Sequence, residues 1–167
     1  MSESAALEIL KHAILLEKRG RSFYQKVAEQ SEDEMVKSFF EFMRDEEIEH
    51  IRVLTDQFKA FHENGVFKAG AFDENKASEV ASNIMNKTVR EKISAAGFES
   101  AAIGAAISME ERAVKVYSER GRSATDPEEK KLYNWLAEWE RQHLNMLLDI
   151  DKGLMEEIWF DNNFWAT

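Results

Sequence analysis

Near the start of the chain, apolar side chains recur at steps of three and four: Leu7, Leu10, Ala13, Ile14, Tyr24 and Val27. That is the period of one face of an α-helix, and it predicts a first helix over about 4–30. Glu17 and Gly20 fall on the same stripe, where a solvated glutamate would not be placed. A second stripe runs through Val36, Phe40, Met43, Ile51, Leu54, Phe58 and Phe61, and it carries Glu47 and His50 with it. The run Ser31-Glu-Asp-Glu supplies a cap and an acidic first turn, and Asn64-Gly65 supplies a stop, so the second helix is expected over about 32–64.

After a long connection the pattern returns. Ile103, Ala106, Ile107, Ala113, Val114 and Tyr117 mark a third helix over about 98–121, with Glu110 on its stripe. Asp126-Pro127 is a strong helix start, with Asp as cap and the single Pro at the first helical position. The fourth helix carries Leu132, Tyr133, Leu136, Leu144 and Leu147 together with Glu140 and His143, and Gly153 is expected to end it. Between the pairs, ASEVASNIMNKTVREKIS has the composition of a crossover helix. No stretch reads as a β-strand.

The expected architecture is therefore all-α. It is one domain over 1–167, with a helix pair over 4–64, a crossover over 65–97, a second pair over 98–152 and an aromatic tail over 153–167. Two antiparallel pairs joined by one long crossover describe a four-helix bundle.

The two halves are an internal repeat. Glu17 and Glu110, Glu47 and Glu140, and His50 and His143 are each separated by 93 positions. The same offset pairs Ala13 with Ala106, Ile14 with Ile107, Arg19 with Arg112 and Tyr24 with Tyr117. Glu47…His50 and Glu140…His143 are Glu-x-x-His pairs, and three-residue spacing puts both side chains on one helix face. A single such pair in a glutamate-rich helix reads equally well as a solvated charge run. Two pairs, each 30 residues after a glutamate on an apolar stripe, do not.

Composition narrows the chemistry. The chain is 44% hydrophobic and 32% charged, with net charge −10 and no cysteine. Missing cysteine removes disulfides, thiolate catalysis and sulfur-ligated metal centres from these residues. The negative charge argues against nucleic acid and anionic membranes as partners. No run approaches the ~18–20 apolar residues of a membrane span, and the N-terminus lacks a signal-peptide pattern, so a cytoplasmic location is expected.

Four carboxylates and two neutral imidazoles carry four negative charges, which two divalent ions would balance. Oxygen-rich donors with one imidazole per ion suit iron or manganese better than structural zinc. Glu17 and Glu110, which come singly from their helices, are expected to bridge. Glu47 with His50 and Glu140 with His143 would each serve mainly one ion. Tyr24 and Tyr117 lie two turns along the face from Glu17 and Glu110, placed either to hydrogen-bond ligand carboxylates or simply to fill the core. His12 and His62 have no counterparts at the repeat offset and read as surface residues. Glu46, Glu49 and Glu138 read as solvent-facing.

The helix-pair signature, Glu17…Tyr24 and Glu110…Tyr117 each followed by Glu-x-x-His, resembles the rubrerythrin-type family of ferritin-like di-iron carboxylate proteins. The resemblance covers roughly 5–150. It implies a ferritin-like bundle with two iron ions held by Glu17, Glu47, His50, Glu110, Glu140 and His143. Manganese or a mixed Mn/Fe pair stays open as an alternative. It also implies reduction of hydrogen peroxide or, alternatively, oxidation of ferrous iron by dioxygen or peroxide.

Many rubrerythrins carry a cysteine-bearing rubredoxin domain, which these residues lack, so a separate electron donor such as a rubredoxin-like protein is implied. Rubrerythrins also carry an additional glutamate one turn past the third-helix ligand. Ala113 occupies that position here, and Glu111 lies about 100° around the helix. In that respect the site is more similar to the symmetric one of bacterioferritin. The aromatic tail, with Trp159 and Trp165, suggests a homodimer. A helical bundle that binds a partner and keeps only a vestigial site is the third reading.

Overall fold

The computed structural model describes residues 3–74, 83–94 and 97–160. Five helices make it up: α1 (Glu3–Gln30), α2 (Glu34–Asn64), α3 (Asn83–Lys92), α4 (Phe98–Ser123) and α5 (Pro127–Phe160). Among the described residues there is no strand. α1 packs most closely on α2, and α4 on α5, so the protein is an all-α four-helix bundle of two helix pairs. The short crossover helix α3 rests against α5 and α2.

The boundaries follow local chemistry. Asp33 caps α2, its side chain accepting from the backbone N–H groups of Met35 and Val36. Gly65 closes α2 at φ 69°, in the left-handed region that glycine enters at little cost. Asp126 caps α5 by accepting from the N–H groups of Glu128 and Glu129. The expected crossover helix is present as α3, and the earlier part of that stretch lies outside the described residues.

One boundary differs from expectation. Gly153 does not end the last helix, which continues through it to Phe160. A Cβ at Gly153 would overlap Arg90 Cδ, so the missing side chain makes room for α3 to lie across α5. Of the expected aromatic tail, 153–160 therefore belong to α5. Residues 161–167, Trp165 among them, lie outside the described residues.

Two apolar clusters fill the bundle, one toward each end. The first joins Tyr24, Phe39, Phe40, Met43, Ile103, Leu147 and Ile150, and Val89 of α3 closes it together with Ile93 just beyond that helix. The second joins Leu10, Val53, Leu54, Tyr117, Leu132, Leu136 and Trp139. Each long helix runs from one cluster to the other, and each crosses the gap between them at a glutamate. Burying a large apolar side chain stabilises by about 1.5–3 kcal/mol, so the clusters can hold a layer between them that is costly to bury.

Candidate metal centre

That layer contains all six donors singled out from the sequence. Glu17, Glu47, Glu110 and Glu140 are at most 3% exposed, and His50 and His143 are fully buried. His12 and His62 are exposed, as the repeat offset implied, and so is Glu111.

The donors fall into two groups. One donor atom from each of Glu17, Glu47, His50 and Glu140 lies within 4.8 Å of the others, and the same holds for Glu47, Glu110, Glu140 and His143. Glu47 and Glu140 belong to both groups, so the shared positions fall on the Glu-x-x-His glutamates and not on Glu17 and Glu110 as expected. The tyrosines supply the reason. The Tyr24 hydroxyl donates to Glu110 Oε1 at 2.5 Å, and the Tyr117 hydroxyl donates to Glu17 Oε1. Tyr24 belongs to one apolar cluster and Tyr117 to the other, so these bonds draw Glu110 and Glu17 toward opposite ends. Glu47 and Glu140 are left in the middle, and the Glu47 carboxylate lies against Gly20, where a Cβ would sit 3.4 Å from Glu47 Cδ.

Both imidazoles turn the same nitrogen inward. His50 Nδ1 lies 2.9 Å from Glu140 Oε1, 3.2 Å from Glu17 Oε2 and 3.6 Å from Glu47 Oε2. His143 Nδ1 lies 3.1 Å from Glu140 Oε2 and 3.7 Å from Glu110 Oε1. Each Nδ1 meets more carboxylate oxygens than one N–H can satisfy. Glu140 Oε1, despite its closeness to His50, has no hydrogen bond of acceptable geometry. Convergence of this kind suits a cation.

Burial pushes the Glu47 and Glu110 carboxyls well above the usual range, with Glu140 adding to the effect in both. Burial would raise Glu140 too, but His50 and His143 beside it hold it well below. Burial opposes charging the imidazoles, yet the carboxylates prevail: Glu140 and Glu17 hold His50 well above its ordinary value, while Glu140 and Glu46 bring His143 to about 10. The tyrosine hydroxyls are also raised, first by burial and then by their glutamates. The cluster thus retains protons that a pair of divalent cations would displace.

Two features were not legible beforehand. Glu46, expected in solvent, is 14% exposed at its side chain and stands 3.9 Å from His143 Nε2. Glu49 is half-buried and paired with Arg52, whereas Glu138 is exposed as expected. A cavity of about 120 Å³ opens onto the donors between α1 and α4. Gly20 and Ala113, equivalent in the repeat, line it together with Arg19 and Arg112, which are equivalent too.

The Rubrerythrin family model matches residues 8–151, nearly the whole chain and all six donors. The chain belongs to the rubrerythrin family. No curated protein and no solved structure matches it at a significant level. Rubrerythrins are di-iron carboxylate proteins of oxidoreductase type, and the donor set fits that requirement: four buried carboxylates, two inward Nδ1 atoms and two overlapping groups. Among the described residues no helix is long and apolar enough to cross a membrane.

Proposed function

We propose that this protein is a non-haem di-iron oxidoreductase that reduces hydrogen peroxide with electrons from a separate donor, acting in the cytoplasm. The observation that supports the reading is the buried six-donor layer onto which a small cavity opens. At about 120 Å³ the cavity has room for small molecules a few atoms in size. Peroxide or dioxygen would fit.

Glu17, Glu47, His50, Glu110, Glu140 and His143 would hold two iron ions, which when bound supply one electron each to cleave the O–O bond. The balance is H₂O₂ + 2H⁺ + 2e⁻ → 2H₂O. The protein's own part is positional. Tyr24 and Tyr117 fix the outer carboxylates of Glu110 and Glu17, the apolar clusters exclude bulk water, and Gly20 and Ala113 leave the mouth open. The two arginines put positive charge at the rim of an acidic protein. No cysteine lies in these residues, so a sulfur-ligated electron-relay centre would lie outside them, for example in a rubredoxin-like protein.

One observation favours a ferroxidase as the second reading. Ala113, buried on the cavity wall, stands where a further carboxylate would break the symmetry of the donors. The near-symmetric set would then oxidise Fe²⁺ with dioxygen or peroxide. Anaerobic loading with Fe²⁺, followed by stoichiometric peroxide or dioxygen in a stopped-flow spectrophotometer, separates the readings. Faster oxidation by peroxide supports the peroxidase, and faster oxidation by dioxygen with turnover of excess Fe²⁺ supports the ferroxidase. No near-ultraviolet change with either oxidant would refute both.

The far end of α5 exposes Met155, Ile158, Trp159 and Phe160, which supports association as a homodimer. Size-exclusion chromatography with light scattering tests it: a monomer refutes the dimer, and a large hollow assembly supports iron handling.

A further inference from the structure

The repeat that duplicates the donors does not duplicate what stands behind the two histidines. Glu46 lies behind His143, its Oε1 3.9 Å from Nε2, within ion-pair range though longer than a hydrogen bond. Moving 93 positions on from Glu46 gives Trp139, and Trp139 stands beside His50, its ring edge-on to the imidazole at 4.9 Å. Trp135 closes the same histidine at 5.8 Å. Among the described residues neither His50 Nε2 nor His143 Nε2 has a hydrogen-bond partner, and the Trp139 indole N–H has none either. The difference between the two histidines is the ion-pair neighbour Glu46 on one side and the aromatic rings on the other. One imidazole is thus backed by a carboxylate and the other by aromatic walls.

The position occupied by Glu46 is largely, though not fully, buried. Its repeat counterpart Trp139 is 2% exposed, and Glu46 itself is 14% exposed against 59% for the surface residue Glu138. The outward nitrogen of His143 faces this largely buried carboxylate. A carboxylate behind a ligating histidine fixes the ring tautomer and makes the inward nitrogen a stronger donor. An indole edge does neither.

Resting on the di-iron reading, we propose that Glu46 is a positioning residue that makes the two cation positions unequal. Acting through His143, it strengthens the position formed with Glu110. The position formed by His50 and Glu17, walled by Trp135 and Trp139, is the weaker one.

Isothermal titration of the full chain with Fe²⁺ under anaerobic conditions, paired with ⁵⁷Fe Mössbauer spectra of the fully loaded ferrous protein, tests this. The wild type is expected to show two quadrupole doublets of equal area. Glu46→Gln, which keeps the size and removes the charge, should shift one doublet only and weaken one binding step about tenfold. Trp139→Phe should leave the stronger step and its doublet in place. A single doublet in the wild type overturns the inference without recourse to any variant. A folded E46Q protein with both steps and both doublets unchanged overturns it as well. In either case bound iron leaves the di-iron reading standing, whereas no binding of Fe²⁺ at all overturns both.

Discussion

The Tyr24 hydroxyl, on α1, reaches across the bundle to donate to Glu110 on α4, and Tyr117 on α4 returns the bond to Glu17 on α1. Each tyrosine therefore serves the donor of the opposite half and not the glutamate two turns away on its own helix. Removing one hydroxyl takes a charge-directed bond from a buried carboxylate, a loss of about 1.5–3 kcal/mol. Tyr117→Phe should weaken the ion shared by Glu17 and His50, and Tyr24→Phe the one shared by Glu110 and His143, each about tenfold. Thermal melts and Fe²⁺ titrations of the two variants would check this. Loss at the same position in both would contradict the crossed pairing.

The overlap of the two donor groups gives the glutamates different weights. Glu140 contributes to both groups and Glu17 to one. Glu140→Ala is expected to leave almost no bound iron, while Glu17→Ala retains about one ion per chain. Iron and protein determinations on desalted samples decide it. Equal retention by the two variants would return Glu140 to a one-ion role.

Stability without metal should depend on pH with a definite sign. His143 is raised from 6.5 to about 10, so its protonated form stabilises the fold below pH 6.5, and this is lost as pH rises toward 10. Glu47 and Glu110, raised above 4.5 by burial, lose stability in the same direction as they ionise. Glu140, lowered, acts the other way: its contribution is present above 4.5 and lost on acidification. Melts in chelator should therefore fall between pH 6.5 and 10. With Fe²⁺ or Mn²⁺ bound, the fall should flatten, because the ion replaces the protons. A metal-free melting temperature that climbs across that window would contradict the assignment.

The mouth of the cavity can be narrowed from either half. A Cβ at Gly20 would meet Glu47 Cδ at 3.4 Å, an ordinary contact, so Gly20→Ala should be tolerated and gain about 0.5–1 kcal/mol from helix propensity. Ala113→Leu, larger by three carbons, should fill much of the space. It is expected to slow oxidation by peroxide several-fold while iron content stays unchanged. Slowing matched by loss of iron would show damage to the donors and no gating.

Much of this was legible in the chain because one offset repeats both the stripes and the donors. The helix pairs, the Asp126 cap and the burial of all six donors followed from periodicity and spacing alone. What escaped depends on how one helix meets another. Glu46 sits next to Glu47 in a run of acids, and nothing along α2 reveals that His143 on α5 lies behind it. The placement of Glu47 and Glu140 in both donor groups goes with the crossed tyrosine bonds, which join residues 86 and 100 positions apart. Gly153 reads as a breaker in sequence, yet its missing side chain serves a neighbouring helix.

Each helix pair brings two carboxylates and one imidazole, and the closest packing lies within pairs and not between them. An ion chelated by this set is gripped by both hairpins at once, so coordination works as a reversible cross-link at mid-bundle. It joins segments far apart in the chain, as a disulfide would in a protein that has cysteines. Loading the centre would then also hold the two halves together.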